Sequence, residues 1–145
     1  NERFQMEEHA GFYFTIWYGV YNATTRQLAY ASGGHHPAYL VPAGGGEARP
    51  LRTRNPMIGG MPAMKFTQES MEVPHGARIY VFSDGVFEII DKQGVQWGID
   101  QFVELMLEPP VEGLGEPQRL YKAMRDKVPG GLFDDDFSLV VFNFA

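Results

Sequence analysis

Apolar and polar positions along the chain fall into short alternating runs broken by glycine, proline and asparagine, with two later stretches of helical period. From Phe12 to Tyr21, the residues Phe12, Phe14, Ile16, Tyr18 and Val20 alternate with Tyr13, Thr15, Trp17, Gly19 and Tyr21. This predicts a long strand with bulky residues on both faces. A sheet with one wet face alternates apolar with polar, so the pattern predicts a cover on each side. Asn22 to Arg26 predicts a hairpin connection into a strand over 27–32. After Gly33-Gly34-His35-His36-Pro37 a short strand, Ala38 to Val41, continues an antiparallel meander.

Pro42 to Pro62 has few apolar anchors and contains Gly44-Gly45-Gly46, which predicts a long surface connection. A strand is expected over Met64 to Glu72, a turn at Pro74-His75-Gly76, a core strand over Arg78 to Phe82 and a helical turn over Val86 to Ile90. Asp100 is placed to cap a helix whose Phe102, Leu105 and Met106 share one side, and Pro109-Pro110 ends it. Pro117 suits the first turn of a second helix with Leu120, Met124 and Val128 at a spacing of four. Pro129-Gly130-Gly131 breaks that helix, and Phe137 to Phe144 predicts a last strand with apolar residues on both faces. The polar residues 1–10 predict the tail of a helix. Strands in runs with a few helices give an α+β class, and apolar pattern on both strand faces points to two packed antiparallel sheets flanked by helices.

With 145 residues the chain fits a single domain, 1–145. Its net charge of −6, with no stripe of Lys and Arg, opposes binding to a phosphate backbone, so nucleic acid is not an expected partner. The absence of cysteine removes disulfides, thiolate metal sites and a cysteine nucleophile. No apolar run approaches the roughly 18 residues of a membrane span. A cytoplasmic protein that does not enter the membrane is the expectation.

Chemistry concentrates at two acidic sites. Ser83-Asp84-Gly85 stops the core strand, with Gly85 read as permitting a tight reversal that leaves the Asp84 carboxylate free of the sheet ladder. Asp134-Asp135-Asp136 stands at the entrance to the last strand. Carboxylates at two strand ends can converge on a hard cation such as magnesium or manganese, and a two-metal site needs several of them. A solvated acidic loop, or a pair of acids across a glycosidase cleft, fits the same composition. His35 and His36, adjacent and expected on opposite faces, are read as loop residues rather than ligands of one ion. Ser83 and Ser138 have no neighbouring base, so a serine nucleophile is not supported.

Taken in order, Tyr18-Gly19-Val20, Ser32-Gly33-Gly34-His35-His36-Pro37, Pro74-His75-Gly76 running through Phe82-Ser83-Asp84-Gly85-Val86-Phe87-Glu88, Trp97-Gly98 and Asp135-Asp136-Phe137-Ser138 give a pattern. It resembles the bacterial metal-dependent serine/threonine phosphatases of the SpoIIE type, relatives of protein phosphatase 2C in the PPM superfamily. The resemblance implies an α-β-β-α sandwich and a binuclear Mn2+ or Mg2+ centre, with Asp84 and Asp135 matching two of the metal-binding aspartates. It implies hydrolysis of phosphoserine or phosphothreonine on a signalling protein such as an anti-sigma-factor antagonist, hence a part in sigma-factor regulation. The family's first metal motif, a Gly-Asp followed by Gly-His-Gly, would precede Asn1. On that basis the chain is expected to be the C-terminal part of the domain, its N-terminal part missing, and prone to self-association through exposed sheet. The alternative is a catalytically inactive phosphatase-like module that binds a signalling partner.

Overall fold

A computed structural model describes residues 3–145. Strands β1 (Ile16–Asn22), β2 (Gln27–Gly33) and β5 (Glu69–Glu72) form a three-stranded sheet in the order β1-β2-β5. Strands β3 (Ala38–Val41), β4 (Arg49–Leu51), β6 (Arg78–Phe82) and β7 (Leu139–Asn143) form a second in the order β4-β3-β6-β7. The helices are α1 (Ile99–Leu107) and α2 (Glu116–Lys127). The chain divides into two compact units. The first takes the described residues up to Ala38 with Pro50–Pro74, the second Tyr39–Arg49 with His75–Ala145.

In the first unit the predicted hairpin forms. Asn22 Oδ1 accepts the Thr24 and Thr25 N–H groups at 3.0 and 3.1 Å, an Asx-type turn that sets the β1–β2 register from Asn22↔Gln27 to Ile16↔Gly33. The meander ends there. Strand β2 takes β5 as its other neighbour, and β3 pairs with β6 in the other sheet. Only Glu69–Glu72 of the expected Met64–Glu72 strand is regular. Residues 42–62 are more ordered than their glycine content suggests, because they include β4, a Gly33–Asn55 bridge and a Phe14–Ile58 bridge. Thr53 anchors this stretch: its N–H donates to Ser32 Oγ at 3.0 Å and its hydroxyl to the Ser32 carbonyl at 3.1 Å. Both residues are buried, so each polar group finds its partner in the other.

Among the described residues the cover expected on both faces of β1 lies on one face only. Trp17 and Tyr21 are half-buried, and the Trp17 indole N–H donates to the Leu51 carbonyl at 2.9 Å. Ile16, Tyr18 and Val20 on the opposite face are exposed, Tyr18 by 61%. Alternation reports the pleat of a strand and the polarity of its faces, and says nothing of what lies against them. The expected helix tail over 1–10 is a single 3-10 turn at Met6–Glu8, and residues 1 and 2 of that expectation lie outside the described residues.

In the second unit Phe82, Val86, Phe102, Met106, Leu120 and Met124 form the centre of one buried cluster. The predicted apolar faces of α1 and α2 are the ones that bury. Asp100 does not cap α1: Gly98 holds that position, its N–H donating to Gln101 Oε1 at 2.9 Å, and Asp100 lies in the first turn. There its carboxylate faces the positive end of the helix dipole. The helical turn expected at 86–90 sits two residues earlier, as a 3-10 turn at Asp84–Val86.

One polar group ties the helices to the sheet. Arg119, only 5% exposed, donates through Nε and Nη2 to Glu116 at 2.8 Å each, and through Nη2 to the Leu105 carbonyl of α1 at 2.7 Å. Glu116 also accepts the Tyr80 hydroxyl of β6 at 2.9 Å and pairs with Arg78 at 3.3 Å. Burial pushes the Glu116 carboxyl upward. The hydrogen bonds from Arg119 and Tyr80 and the charges of Arg119 and Arg78 outweigh it and hold the group below the usual carboxylate range. Burial, with Glu116 beside it, raises the Tyr80 phenol.

A carboxyl depressed on folding contributes stability that is present above its unfolded pKa and lost as pH falls through its folded value. Urea denaturation across pH is therefore expected to show stability falling below about pH 5. Glu116→Gln should flatten part of that limb and cost about 3 kcal/mol at neutral pH, since the buried Arg119 is left with only the exposed Glu108, at 3.6 Å, as a charged partner. Superimposable wild-type and variant curves would contradict this.

Candidate metal centre

The two acidic segments meet because their strands are neighbours. Strands β6 and β7 pair antiparallel from Arg78↔Asn143 to Phe82↔Leu139. The pairing runs one step further, with Ser83 N–H donating to the Ser138 carbonyl at 2.9 Å. The Ser83 hydroxyl then closes a clasp: it donates to the Asp136 carbonyl at 2.7 Å and accepts the Ser138 N–H at 3.0 Å. Ser83 thus works as a structural fastener, a role with no sequence signal beyond its place beside Asp84.

Gly85 brings the backbones into contact. A Cβ built there would lie 2.6 Å from the Asp136 carbonyl oxygen and 3.1 Å from the Asp135 Cβ. Its φ is not in the left-handed region, so the expected tight reversal is not what requires glycine; the close approach of two chain segments is. Asp84 opens the 3-10 turn with its Oδ1 accepting the Gly85 N–H at 3.0 Å, and Asp135 Oδ1 accepts the Asp136 N–H at 2.7 Å. Both side chains are exposed, and neither belongs to an ion pair among the described residues.

Uncompensated carboxylates on touching segments repel, and a divalent cation relieves that repulsion with the oxygen donors it prefers. The donor chemistry therefore fits manganese or magnesium. The set is incomplete: among the described residues no group of three or more His, Cys, Asp and Glu side chains is placed to hold a metal ion.

His35 and His36 belong to no metal-holding group among the described residues. His35 and His36 do not point to opposite faces, because they lie beyond the end of β2; their rings are 4.1 Å apart, with His35 Nδ1 2.9 Å from the His36 carbonyl and His36 Nδ1 3.1 Å from that of Pro37. They pack within their loop, as expected.

In chemical denaturation Gly85→Ala is expected to cost about 1–3 kcal/mol, because a methyl group meets rigid backbone. Ser83→Ala should cost about 1 kcal/mol for the lost hydroxyl bonds. An unchanged midpoint in Gly85→Ala would show that the two segments are not in contact in solution.

The family model described as Stage II sporulation protein E (SpoIIE) matches residues 1–145. Phosphoserine phosphatase RsbU of Bacillus subtilis is 26% identical over 135 residues, 91% of this chain and 39% of RsbU. The PP2C phosphatase domain of SpoIIE from Bacillus subtilis, solved with a fragment of its regulatory domain, matches with a TM-score of 0.68 at 18% identity, over 85% of this chain and 35% of that one. The catalytic domain of the serine threonine protein phosphatase PstP, solved with 2 manganese ions, matches with a TM-score of 0.60 at 17% identity, over 97% and 64% of the two chains. This chain thus spans about two fifths of the length of RsbU. The solved structures share its α+β fold of two antiparallel sheets with helices. Because the family model covers every residue of the sequence, the chain belongs to the SpoIIE family, within the protein phosphatase 2C-like fold.

Proposed function

We propose that the chain forms part of a metal-dependent phosphatase that removes phosphate from serine or threonine of a cytoplasmic signalling protein, of the anti-sigma-factor antagonist kind. The observation that carries this is the contact of the Asp84 turn with the Asp135–Asp136 backbone through Gly85. In this proposal Asp84 and Asp135 hold manganese or magnesium of a binuclear centre, with further donors from outside the described residues. When bound, such ions lower the pKa of coordinated water and neutralise charge on a phosphoryl group. The contribution of this chain is positional: the Ser83 clasp and the β6–β7 register tie together the backbone segments that carry the two carboxylates, which supports their acting at one centre. No serine or cysteine of the chain is asked to act as a nucleophile.

The lack of a three-ligand group among the described residues favours a second reading, a phosphatase-like module that binds a signalling partner without chemistry. Hydrolysis of a phosphoserine protein by the full-length gene product separates the two. Manganese-dependent turnover that falls at least 100-fold in Asp84→Asn, by analogy with loss of other electrostatic stabilisers, is the expected result; undiminished turnover in that variant rejects the assignment.

We further propose that the chain self-associates through β1. It is an edge strand whose seven residues, Ile16–Asn22, carry no charge or proline, and whose outer face is apolar. Sedimentation of the 145-residue chain at rising concentration is expected to show dimers or larger species, and Tyr18→Lys to shift them toward monomer. A monomer throughout would exclude this association.

A further inference from the structure

Within the second unit an open cleft of about 500 Å3 is lined by Lys92, Tyr121, Lys122 and Arg125, with Gly130 and Gly131 on its wall. Lys122 and Arg125 stand three apart on α2 and share a face. Lys92 reaches them from a different segment, because its N–H donates to the Lys127 carbonyl at 3.0 Å, at the end of that helix. Asp91 ties together the loop that follows. Asp91 Oδ1 accepts the Gln93 and Val95 N–H groups at 2.9 Å each, and Oδ2 accepts the Trp97 indole N–H at 3.1 Å. On the wall, Gly130 and Gly131 have φ of +67° and +69° and present bare backbone; a Cβ on Gly131 would stand 3.3 Å from Arg125 Nε.

The cleft reverses the charge of the chain. The molecule carries a net charge of −6, yet Lys92, Lys122 and Arg125 are all exposed, belong to no ion pair among the described residues, and face one acid on the lining, Asp126. Three unpaired cations around a concavity attract an anionic ligand. Tyr121 connects this cleft to the acidic loop. Its ring lies 5.2 Å from Phe137 and 5.8 Å from Phe133, the two phenylalanines that bracket Asp134, Asp135 and Asp136.

From this charge complementarity and this adjacency we propose that the cleft docks an acidic segment of the phosphoprotein substrate, with Asp or Glu side chains near the phosphorylated residue paired to Lys92, Lys122 and Arg125. The identity of the partner as a substrate rests on the phosphatase function proposed above; the affinity for an acidic peptide does not. Such a cleft selects among phosphoproteins by the sequence around the phosphate, leaving the phosphoryl group itself to the Asp84 and Asp135 side.

The test uses the 145-residue chain and a short fluorescein-labelled peptide rich in Asp and Glu around an unphosphorylated serine, followed by anisotropy. The acidic peptide is expected to bind, its Asn/Gln counterpart not to, and raised salt to weaken the complex, since exposed charges are screened beyond a Debye length. The double variant Lys122→Glu/Arg125→Glu, and separately Lys92→Glu on its own segment, should each weaken binding at least about tenfold with circular dichroism unchanged. Equal binding of the neutral peptide, no binding of the acidic one, or wild-type affinity in both variants overturns the proposal. Because the peptide carries no phosphate, the result is separate from that of Asp84→Asn: a docking cleft on a protein without phosphatase activity would appear as intact peptide binding with no turnover.

Discussion

The short contact between Gly85 and the Asp135–Asp136 backbone is the constraint on which the candidate site depends. It exists only because β6 and β7 are paired in one register, with Phe82 opposite Leu139, and because Ser83 extends that pairing past the end of the ladder. A slip of one residue would turn every side chain of β7 to the other face and carry the acidic loop away from Asp84. Leu139 and Val141 of β7 pack against the core that holds Tyr80 and Phe82, while Val140 and Phe142 face away from it and are exposed. What looks like a local acidic motif is therefore held in place by hydrophobic burial several residues away.

Charge is handled in two opposite ways within the second unit. Glu116, Arg119, Arg78 and Tyr80 are gathered where water is scarce, and each is matched by hydrogen bonds or an opposite charge. A buried ion is tolerable only under those conditions. Asp84 and Asp135 are left at the surface with no counter-charge from the described residues, and the cations nearest in kind, Lys122 and Arg125, line a separate cleft. The first arrangement fastens α1 and α2 to β6. The second leaves charge directed outward, negative at Asp84 and Asp135 and positive at the cleft.

Much of this was legible along the chain. The core strand over Arg78–Phe82, the short strand over Ala38–Val41 and the hairpin at Asn22–Arg26 follow from alternation and turn chemistry, and the buried faces of both helices from spacing. Where expectation failed, a neighbour decided. Asp100 has the chemistry of a cap, but Gly98 and Gln101 occupy that role. Residues 42–62 read as loose, yet Thr53 is fixed by Ser32, which lies 21 positions earlier.

From the residues themselves come the α+β class, the two acidic segments and the likeness to SpoIIE-type phosphatases, because strand period, turn residues and motif order are properties of the linear chain. Tertiary structure alone decided that Ser83 fastens the two acidic segments together, that Gly85 is there for proximity rather than for its torsion angles, and that Lys92 joins Lys122 and Arg125. Each of those facts concerns the distance between segments tens of residues apart, and such distances are fixed by packing and strand register, which no local pattern encodes.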